Sequence, residues 1–564
     1  MEQSETNRLL NLVLPDGRTV AVKYGTSLLD MMTNKGLADK NILAAMINNH
    51  LISLRAPVTK EGHIRWIDLS MAEGTRTFQR SLIFVLSVAV NEVLPNAKVS
   101  VEHSLGKGLY GNIELPPEPD GSPGKLTDEH IAKVKDRMQA IIDADEPIGY
   151  ASYPREEAVR SFVQREMWRH IRLIKASSKD IVEMYLLRGQ FDQFDGPLVP
   201  NSSYLTLFDM TLYRQGFLLR FARSSVSGGL PPIVETPKLF DVFRENEKWL
   251  KILDVRFVSS LNDFVASGDF SDFVKICEAL HAKKLSEITR RIVAPENRGR
   301  VILVSGPSSS GKTTFSKRLN IDLRVEGKRP VTISLDDYFC DRKETPVDDQ
   351  GNKDYETIRA IDINLFNIHL LTLLDGKEIE LPKYDFTTGV RRRSGRRLQI
   401  PKNDFIIVEG IHALNDELTP SIPPELKFKI YVSALTQLNI DEHNRIRTTD
   451  TRLIRRIVRD QRFRSYSCKD TLLRWPLVRT GEEKWIFPFQ EHADVMFNSA
   501  LVYEHTVMKP LVEPLLREIH EDDEVFAEAQ RMLHFLSFFM SAKDDGIPPT
   551  SILREFIGGS SFSY

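Results

Sequence analysis

Apolar and polar positions change their spacing several times along the chain, and each change marks a different kind of structure. The first 70 residues contain LNLVLPDGRTVAV, two alternating runs joined by the turn signal PDG, which predicts a β-hairpin in a compact α+β module. Helical spacing begins near Ser81, and Leu82–Val90 is the longest apolar run. That run is well short of the roughly 20 residues that span a bilayer, so we interpret it as a buried helix.

The pattern changes again toward the C-terminal half. A second α+β block reaches about residue 225, and a charged, mostly helical connector covers 235–293. Strands then alternate with helices, the strand-like segments being VILVSG at 301–306, PVTISLDD at 330–337, FIIVEG at 405–410 and FKIYVSA at 428–434. This alternation predicts a parallel sheet with helices on both faces.

Size and composition narrow the class of protein. At 564 residues the chain is too long for one hydrophobic core, and we expect roughly three to five domains. Its 76 basic and 78 acidic side chains nearly cancel, so no global field draws it to nucleic acid or a membrane. Cys277, Cys340 and Cys468 are too widely spaced for a metal knuckle, which indicates a reducing compartment. The start MEQSETNRLL lacks a secretory pattern, and we expect a cytoplasmic protein.

The residues after the first strand of the alternating region match the phosphate-loop pattern GxxxxGK[ST]. They are Gly306, Pro307, Ser308, Ser309, Ser310, Gly311, Lys312, Thr313 and Thr314. Glycines let backbone N–H groups turn toward phosphates, Lys312 supplies a positive charge, and the Thr313 hydroxyl can bind Mg²⁺. The loop therefore predicts ATP and Mg²⁺ as cofactors. The alternative is a plain connecting turn, which needs neither the Lys nor the Thr.

Two strand ends carry carboxylates that could serve the acceptor side of a phosphoryl transfer. Asp336 and Asp337 end the next strand, and Glu409 closes FIIVEG. An open parallel sheet binds ligands at this edge, so Asp336 is a candidate general base. Thr313, Asp336 and Glu409 are candidate Mg²⁺ ligands. A helix cap or a solvated strand end is the alternative for each carboxylate, and the pattern leaves both interpretations open.

Arginines crowd the strongly helical segment DTRLIRRIVRDQRFR at 450–464. Arg452, Arg455 and Arg459 recur at three- and four-residue spacing and share a face that can close over phosphates. A solvated basic helix or an RNA-contacting patch is the alternative. A second arginine cluster, at 391–397, is predicted to be an exposed loop.

Five motifs follow one another in order along this half of the chain. They are GPSSSGKTT at 306–314, SLDDYF at 334–339, PKYDFTTGVRR at 382–392, VEGIHAL at 408–414 and DTRLIRRIVRD at 450–460. Together they resemble the uridine kinase branch of the phosphoribulokinase/uridine kinase family over about 300–515. The resemblance implies a kinase that uses ATP and Mg²⁺ to phosphorylate a nucleoside.

The same resemblance implies roles for individual residues. It places the catalytic Asp at Asp336, beside the loop Lys312, and the lid arginines at Arg452 and Arg455. Implied substrate contacts are Glu356, Tyr384, Phe386 and Arg452. Gly389 stands where the family has a base-contacting His, and Glu356 replaces an Asp at the ribose. We therefore expect a relaxed choice of base.

The N-terminal half resembles a different family. Residues 8–70 resemble the TGS module of threonyl-tRNA synthetases, and 71–225, with RSLIFVLSVAV and RGQFDQFDGPLVP, resemble the editing-type domain that follows it there. That domain carries two pairs of metal-ligand residues, and the aligned positions here are Arg80, Phe84, Phe194 and Leu198. None of these side chains ligates zinc, so we expect a binding, regulatory or packing module.

These inferences combine into an α/β chain, a P-loop kinase domain with a parallel sheet preceded by two small α+β domains. The predicted boundaries are a TGS-like domain at 8–70, a degenerate editing-like domain at 71–225, a helical connector at 226–295, the P-loop kinase domain at 296–520 and a helical C-terminal tail at 521–564. Nothing in the pattern explains the role of the tail segment SILREFIGGSSFSY.

The predicted function is that of an ATP-dependent nucleoside kinase with a small-molecule partner and no membrane. An RNA-associated regulatory P-loop NTPase, or a kinase of another small hydroxylated metabolite, is the alternative. The near-zero net charge disfavours a nucleic-acid partner. The pattern leaves the identity of the nucleoside open, together with a homo-oligomer and any allosteric ligand.

Overall fold

The order of strands and helices follows the change of pattern along the chain. A computed structural model describes residues 8–164, 167–176, 180–223, 229–347, 351, 353–385, 388–401, 404–436 and 438–564. Within these ranges, no helix has both the length and the apolar character needed to cross a membrane.

The N-terminal module is a five-stranded sheet with one helix packed on it. Its elements are β1 Leu9–Val13, β2 Thr19–Lys23, α1 Leu28–Asn34, β3 Ala44–Ile47, β4 His50–Ile52 and β5 Gly62–Ile67, in the sheet order β2-β1-β5-β3-β4. The predicted hairpin is confirmed, since β1 and β2 pair antiparallel around Gly17, whose φ of +85° suits glycine. Met31 and Met32 of α1 are buried against Leu10 and Leu12 of β1.

The second module combines helices with two antiparallel sheets. Its helices are α2 Ala72–Val93, α3 Asp128–Asp143, α4 Arg155–Gln164 and α5 Trp168–Ala176. Its strands are β6 Lys98–Leu105, β7 Gly108–Glu114, β8 Gly149–Pro154, β9 Ile181–Leu187, β10 Gln190–Asp192, β11 Phe208–Tyr213 and β12 Gly216–Phe221, in the orders β10-β9-β8 and β11-β12-β7-β6. The predicted buried helix is confirmed, because every residue of Leu82–Val90 is buried within α2.

Three helices connect this module to the last part of the chain. They are α6 Pro237–Ile252, α7 Val258–Ser267 and α8 Phe270–Val293. Phe273 and Ile288 of α8 share a hydrophobic core with Ile302 and Val304 of the strand that follows. The connector is therefore packed on the parallel sheet through shared apolar side chains.

The last part of the chain contains the remaining elements. In chain order they are β13 Val301–Ser305, α9 Lys312–Val325, β14 Val331–Ser334, α10 Ile363–Leu374, β15 Ile379–Asp385, β16 Val390–Leu398, β17 Ile406–Glu409, β18 Lys427–Ser433, α11 Thr448–Phe463, α12 Cys468–Trp485, β19 Val495–Asn498, α13 Glu504–Arg517, α14 Phe526–Ser537 and α15 Arg554–Ile557. Five of these strands form one sheet, in the order β14-β17-β13-β18-β19, with every neighbouring pair parallel.

The central strand β13 shows why the sheet is covered on both faces. Ile302 and Val304 belong to one core cluster, while Val301 and Leu303 belong to another. Alternate side chains of a strand point to opposite faces, so both faces are buried. The predicted parallel sheet with helices on both sides is confirmed, and its strands all end at one edge.

The arginine cluster at 391–397 corrects a prediction. The segment is exposed, with the Arg393 side chain 91% accessible, but it lies in strand β16 rather than in a loop. β16 pairs antiparallel with β15. Five arginines among nine residues leave no apolar alternation in β16, so only the pairing with β15 defines it as a strand.

Candidate active site

The phosphate loop lies where the central strand of the parallel sheet ends. β13 ends at Ser305, the loop follows, and α9 begins at Lys312. Gly311 precedes this helix with a φ of +84°, and a Cβ there would lie 2.5 Å from Cγ2 of Ile552. Both the left-handed backbone and the close side chain therefore require glycine at this position.

The first N–H groups of α9 are available to an anion. The Phe315 N–H donates to the Gly311 carbonyl at 3.0 Å, and the N–H groups of 312–314 precede this first bond of the helix. Such groups, at the positive end of the helix dipole, favour phosphate. In this structure the Thr314 N–H donates to Oε2 of Glu555 at 3.1 Å. The Glu555 carboxylate thus accepts a hydrogen bond from one of the N–H groups that could bind an anion.

Lys312 is a buried cation among carboxylates. Its Nζ donates to the Pro307 carbonyl at 3.1 Å, and the residue is 8% exposed. Burial lowers the pKa of Lys312, while the charges of Glu409, Glu555 and Asp336 act in the opposite direction. The three carboxylates therefore surround the amine that the sequence assigned to the transferred phosphate.

Glu409 ends strand β17, and Asp336 lies just after the neighbouring strand β14, at the same edge of the sheet. Ser334 of β14 pairs with Glu409 of β17, and Asp336 follows two residues later. The surrounding protein raises the pKa of Asp336, although solvent still reaches its side chain, and Lys312 partly offsets this. Burial, with the neighbouring Asp336 and Glu555 carboxylates, raises the pKa of Glu409 to about 7. The site holds a surplus of negative charge.

The donor set fits Mg²⁺. The Thr313 hydroxyl lies close enough to Glu409 to lower its pKa, whereas burial and the neighbouring carboxylates raise it, and a bound cation would favour the charged carboxylate. Across the described ranges, no three His, Cys, Asp or Glu side chains come close enough to hold a metal ion. Mg²⁺ does not need such a cage, since it binds one or two carboxylates and completes its shell with waters and phosphates. Thr313, Asp336 and Glu409 are the residues that would hold it.

Arg452 and Arg455 support the loop from within the protein. The Arg452 Nε donates to the Ser308 carbonyl at 2.8 Å, and its guanidinium pairs with Glu482. The Arg455 Nη1 donates to the Ser309 carbonyl at 3.4 Å, and its Nε pairs with Glu504 at 2.6 Å. Both arginines are at most 1% exposed. Their contacts are with loop carbonyls and carboxylates, where they hold the loop conformation.

Three further arginines, in α11 or directly after it, act on the phosphate loop or on Asp336. The Arg456 Nη1 donates to the Ser308 hydroxyl at 2.8 Å. Arg464 and Arg459 both act on Asp336, lowering its pKa against the effect of burial. The spacing that predicted a common face included Arg459, but Arg464 follows the helix and shares no such spacing. Arg464 belongs to the predicted arginine-rich segment 450–464 but not to its predicted common face.

No sequence signal marks Glu482, yet it binds the loop directly. Its carboxylate accepts the Ser308 N–H at 3.0 Å and pairs with Arg452 and Arg479. The residue is fully buried. Ser308 and Glu482 are 174 positions apart, and α12 carries no motif that would connect them. Glu482 is therefore a loop residue that only the folded chain reveals.

Tyr384 lies in an aromatic cluster with Phe339 and Tyr355, and Glu356 follows Tyr355 in the chain. Tyr384 is buried with its ring 5.6 Å from that of Phe339. Burial and the neighbouring Glu482 raise the pKa of Glu356 to about 7, and Arg456 opposes this. Phe386 lies outside the described residues. Arg452 is enclosed behind the loop. Of the predicted substrate contacts, Tyr384 therefore lies in the aromatic cluster and Glu356 lies next to it in the chain.

Gly389 has a backbone that only glycine adopts without strain. Its φ is +69°, and a Cβ there would lie 2.5 Å from the Nε of Arg342. The Arg342 N–H also donates to the Gly389 carbonyl at 2.8 Å. A histidine at this position would therefore displace Arg342 and strain the turn, which explains the departure from the family pattern.

The four positions aligned with editing-domain metal ligands also meet in space. The rings of Phe84 and Phe194 lie 5.3 Å apart, and Leu198 belongs to the same buried core. The Arg80 Nη2 donates to the Pro197 carbonyl at 3.0 Å. This set, Arg80, Phe84, Phe194 and Leu198, is called the Arg80 cluster below. Its interior is filled by apolar side chains and one hydrogen-bonded arginine.

A buried ionic contact next to the Arg80 cluster joins two modules. Asp192 of β10 accepts from His443 Nδ1 at 2.5 Å and lies 3.3 Å from His170 Nε2. Asn444 Nδ2 donates to the Gln193 carbonyl at 2.9 Å. Burial lowers the pKa of His443, but the Asp192 carboxylate more than offsets this, and the net shift is upward. The contact ties the editing-like module to the kinase module.

Comparison with known proteins identifies the family. Residues 301–504 match the phosphoribulokinase/uridine kinase family. A uridine kinase of Ligilactobacillus salivarius is 31% identical over 202 residues, which cover 36% of this chain and 85% of that kinase. The chain belongs to the phosphoribulokinase/uridine kinase family. This confirms the predicted resemblance and supports a phosphotransferase activity.

Two further comparisons concern the N-terminal region and the fold. A threonine–tRNA ligase of Symbiobacterium thermophilum is 28% identical over 206 residues, 36% of this chain and 30% of that ligase, and it matches the N-terminal region. A solved structure of a possible uridine kinase from Bacillus stearothermophilus is 20% identical, covers 38% of this chain and 98% of its own, and has a TM-score of 0.27. The predicted α/β class is confirmed by the parallel sheet and the modules before it.

Proposed function

We propose that the chain is an ATP-dependent kinase that transfers the γ-phosphoryl group of ATP to the 5′-hydroxyl of a nucleoside. One observation carries the proposal: the phosphate loop with Lys312 follows strand β13 and Asp336 follows strand β14, so both lie at the edge where the parallel strands end, and each charge acts on the pKa of the other. A carboxylate that can take a proton therefore lies beside the amine that can hold the transferred phosphate.

In the proposed reaction Asp336 accepts the proton of the acceptor hydroxyl. The oxygen then bonds to the γ-phosphorus, the bond from that phosphorus to the β–γ bridging oxygen breaks, and ADP leaves. The surrounding protein raises the pKa of Asp336 above its ordinary value, which makes its carboxylate a stronger base than that of an isolated aspartate. Mg²⁺, held by Thr313, Asp336 and Glu409, would neutralise phosphate charge.

The arginines divide into two proposed roles. Arg459 and Arg464 interact with Asp336, and we propose that they stabilise charge on the transferring group. Arg452 and Arg455 bind loop carbonyls, which supports a positioning role for both. This modifies the expectation that Arg452 and Arg455 close over the phosphates themselves.

Two observations support a nucleoside acceptor: the aromatic cluster and the similarity of this chain to uridine kinases. Tyr384 and Phe339 are buried aromatic rings, Phe339 being three residues after Asp336, and relatives that match this chain are named uridine kinases. Gly389 supplies no side chain to read the edge of the base. We therefore propose weak discrimination between pyrimidine and purine nucleosides, because apolar contact discriminates far less than a dedicated hydrogen bond.

An acceptor panel tests this proposal. The full chain is supplied with ATP and Mg²⁺, and kcat/KM is measured for uridine, cytidine, adenosine, guanosine and inosine. We expect turnover with several of them and less than about 10³-fold preference for pyrimidines. A larger preference would contradict the base-choice argument, while turnover only with a non-nucleoside alcohol would contradict the acceptor class.

The two N-terminal domains are proposed to act without editing chemistry. The match to a threonine–tRNA ligase favours an RNA-associated NTPase as the second candidate. RNA binding with a steep salt dependence, together with ATP hydrolysis that RNA stimulates, would favour that candidate. The contact of Asp192 with His443 instead supports a packing or regulatory role toward the kinase domain.

A further inference from the structure

The segment 551–564, which the sequence pattern did not explain, lies against the phosphate loop. Ile552 touches Gly311, and Phe556 lies under the guanidinium of Arg455 with the ring centre 5.0 Å away. Ser551 donates to the buried Glu278 at 2.5 Å. The five residues of this part that are buried are Ser551, Ile552, Leu553, Phe556 and Ile557. The start of the segment is therefore firmly anchored.

Glu555 projects from this anchored part onto the start of α9. Its Oε2 accepts the Thr314 N–H at 3.1 Å and the Thr314 hydroxyl at 2.6 Å. The Thr314 N–H is the last one before the Phe315 amide begins the hydrogen-bond ladder of α9. A helix start that follows a phosphate loop binds phosphate through such N–H groups. The carboxylate thus stands at a donor suited to an anionic ligand.

Tyr564 holds the same threonine from the other end of the segment. Its hydroxyl lies 2.8 Å from the Thr314 oxygen, and since the Thr314 hydroxyl donates to Glu555, the tyrosine is the donor. The Lys317 amine lies 5.6 Å from the Tyr564 ring. Tyr564 is 60% exposed and follows two glycines with positive φ, Gly558 and Gly559. This end of the segment lies at the surface, in contrast to the buried start.

We propose that Glu555 is an internal competitor for the nucleotide: its carboxylate holds a phosphate donor of α9, and ATP binds when Glu555 releases Thr314. The proposal rests on the proposed function, because it requires that the loop binds ATP. Phosphate and the Glu555 carboxylate are both anions that need the same N–H, so they repel and exclude each other there. The buried anchor keeps Glu555 near, and only its side chain has to move.

A matched set of variants tests this. Glu555→Gln keeps the shape of the side chain but removes its charge. The control is Asp544→Asn, which removes a carboxylate that pairs with Arg554 at a distance of 2.6 Å and, within the described ranges, makes no hydrogen bond or ion pair with the phosphate loop. The full chain with Mg²⁺ is titrated by calorimetry with ATP and, separately, with adenosine. We expect Glu555→Gln to lower the Kd for ATP about tenfold and to leave that for adenosine unchanged, because only ATP carries phosphate. Asp544→Asn should change neither.

The opposite results would overturn the proposal. If Glu555 only supported the start of α9, Glu555→Gln would leave ATP binding unchanged or weaken it. Equal tightening for adenosine would show a steric effect instead of competition for phosphate. Tyr564→Phe provides a second route should Glu555→Gln misfold, and we expect it to lower the Kd for ATP about threefold. An unchanged or higher Kd in Tyr564→Phe would also count against the proposal.

Failure of this proposal differs from failure of the proposed function. Tighter ATP binding in Glu555→Gln without transfer to any nucleoside would keep the competitor and overturn the kinase assignment. Nucleoside phosphorylation with an unchanged Kd for ATP in Glu555→Gln would do the reverse.

Discussion

The phosphate-loop site and the Arg80 cluster show two outcomes for positions that a family uses in chemistry. In the first, Lys312, Asp336 and Glu409 are ionisable groups that meet at the edge of the parallel sheet. In the second, Phe84 and Phe194 also meet, but as apolar rings tilted by 56° to each other within a core. The fold brings the aligned positions together in both places.

The difference lies in what the assembled side chains can do. Around Lys312 burial and the neighbouring carboxylates raise the pKa of Glu409, and a bound cation would favour its charged form. In the Arg80 cluster the apolar rings pack together, and the buried Arg80 guanidinium donates hydrogen bonds to the Pro197 carbonyl and the Thr77 hydroxyl. The side chains of the phosphate-loop site can bind a cation and phosphate, whereas those of the Arg80 cluster fill the interior of their module. The predictions below test this contrast, in order of expected effect.

The largest effect is expected at Lys312. Lys312→Ala should lower kcat/KM for phosphoryl transfer about 10³-fold, because the amine acts on charge that develops in transfer. Lys275→Ala, an exposed lysine paired with Asp272, is the control and should keep full activity. Steady-state kinetics and a thermal unfolding curve check both. Full activity in folded Lys312→Ala would remove the contrast between the two sites.

The second prediction concerns the contact beside the Arg80 cluster. Asp192→Asn leaves His170 and His443 without their buried carboxylate and should lower the free energy of unfolding by about 3 kcal/mol. Asp180→Asn, whose side chain is 96% exposed, should change it by less than about 0.5 kcal/mol. Chemical denaturation of the full chain measures both. If both variants changed the free energy of unfolding equally, the contact of Asp192 with the two histidines would not stabilise the fold.

The same contact should make stability depend on pH. The Asp192 carboxylate and Asp441 raise the pKa of both His443 and His170 against the effect of burial. A raised pKa stabilises the folded state below the unfolded value of about 6.5, and this contribution is lost as the pH rises through the folded value. Unfolding between pH 6 and 9 should show this loss in the natural chain and not in Asp192→Asn. A pH-independent difference would contradict it.

A smaller loss is expected at the proposed base. Asp336→Asn should lower kcat by about 10²-fold while ATP still binds, since a general base is lost and the loop is not. Asp337, which pairs with the exposed Lys383 at 3.3 Å, provides the matched control, and Asp337→Asn should have little effect. Kinetics and ATP titration separate the two. A larger loss in Asp337→Asn would reverse the assignment.

The smallest signal is expected from the Arg80 cluster itself. Elemental analysis of the purified chain should find no stoichiometric zinc, because phenylalanine, leucine and arginine do not ligate it. A zinc enzyme purified alongside provides the control. One equivalent of zinc held within residues 71–225 would contradict the contrast with the phosphate-loop site.

Local sequence patterns predicted the fold well where they repeat over a whole element. The apolar run in 405–410 became β17 Ile406–Glu409, and the helical pattern at 450–464 became α11 Thr448–Phe463. Strand β16 was missed because its arginines carry no apolar alternation. Its existence depends on pairing with β15, a contact between segments that a local pattern does not contain.

The residues of the candidate site also differ in how far a local sequence pattern could predict them. The loop from Gly306 to Thr314 is one contiguous motif, so the sequence was enough to predict its position before a helix. Glu482 and Glu555 reach that loop from 174 and 241 positions away and carry no motif of their own. The burial of Arg452 and Arg455 also follows from tertiary packing, since their helical spacing is equally compatible with an exposed face.

Tracing the γ-phosphate tests the central claim most directly. The full chain is incubated with Mg²⁺, a nucleoside and ATP labelled in the γ-phosphate, with Lys312→Ala in parallel. The account predicts that the label appears in a nucleoside 5′-monophosphate and that Lys312→Ala abolishes this transfer. Label that appears only as free phosphate, whatever nucleoside is added, would identify an ATPase and contradict the kinase assignment.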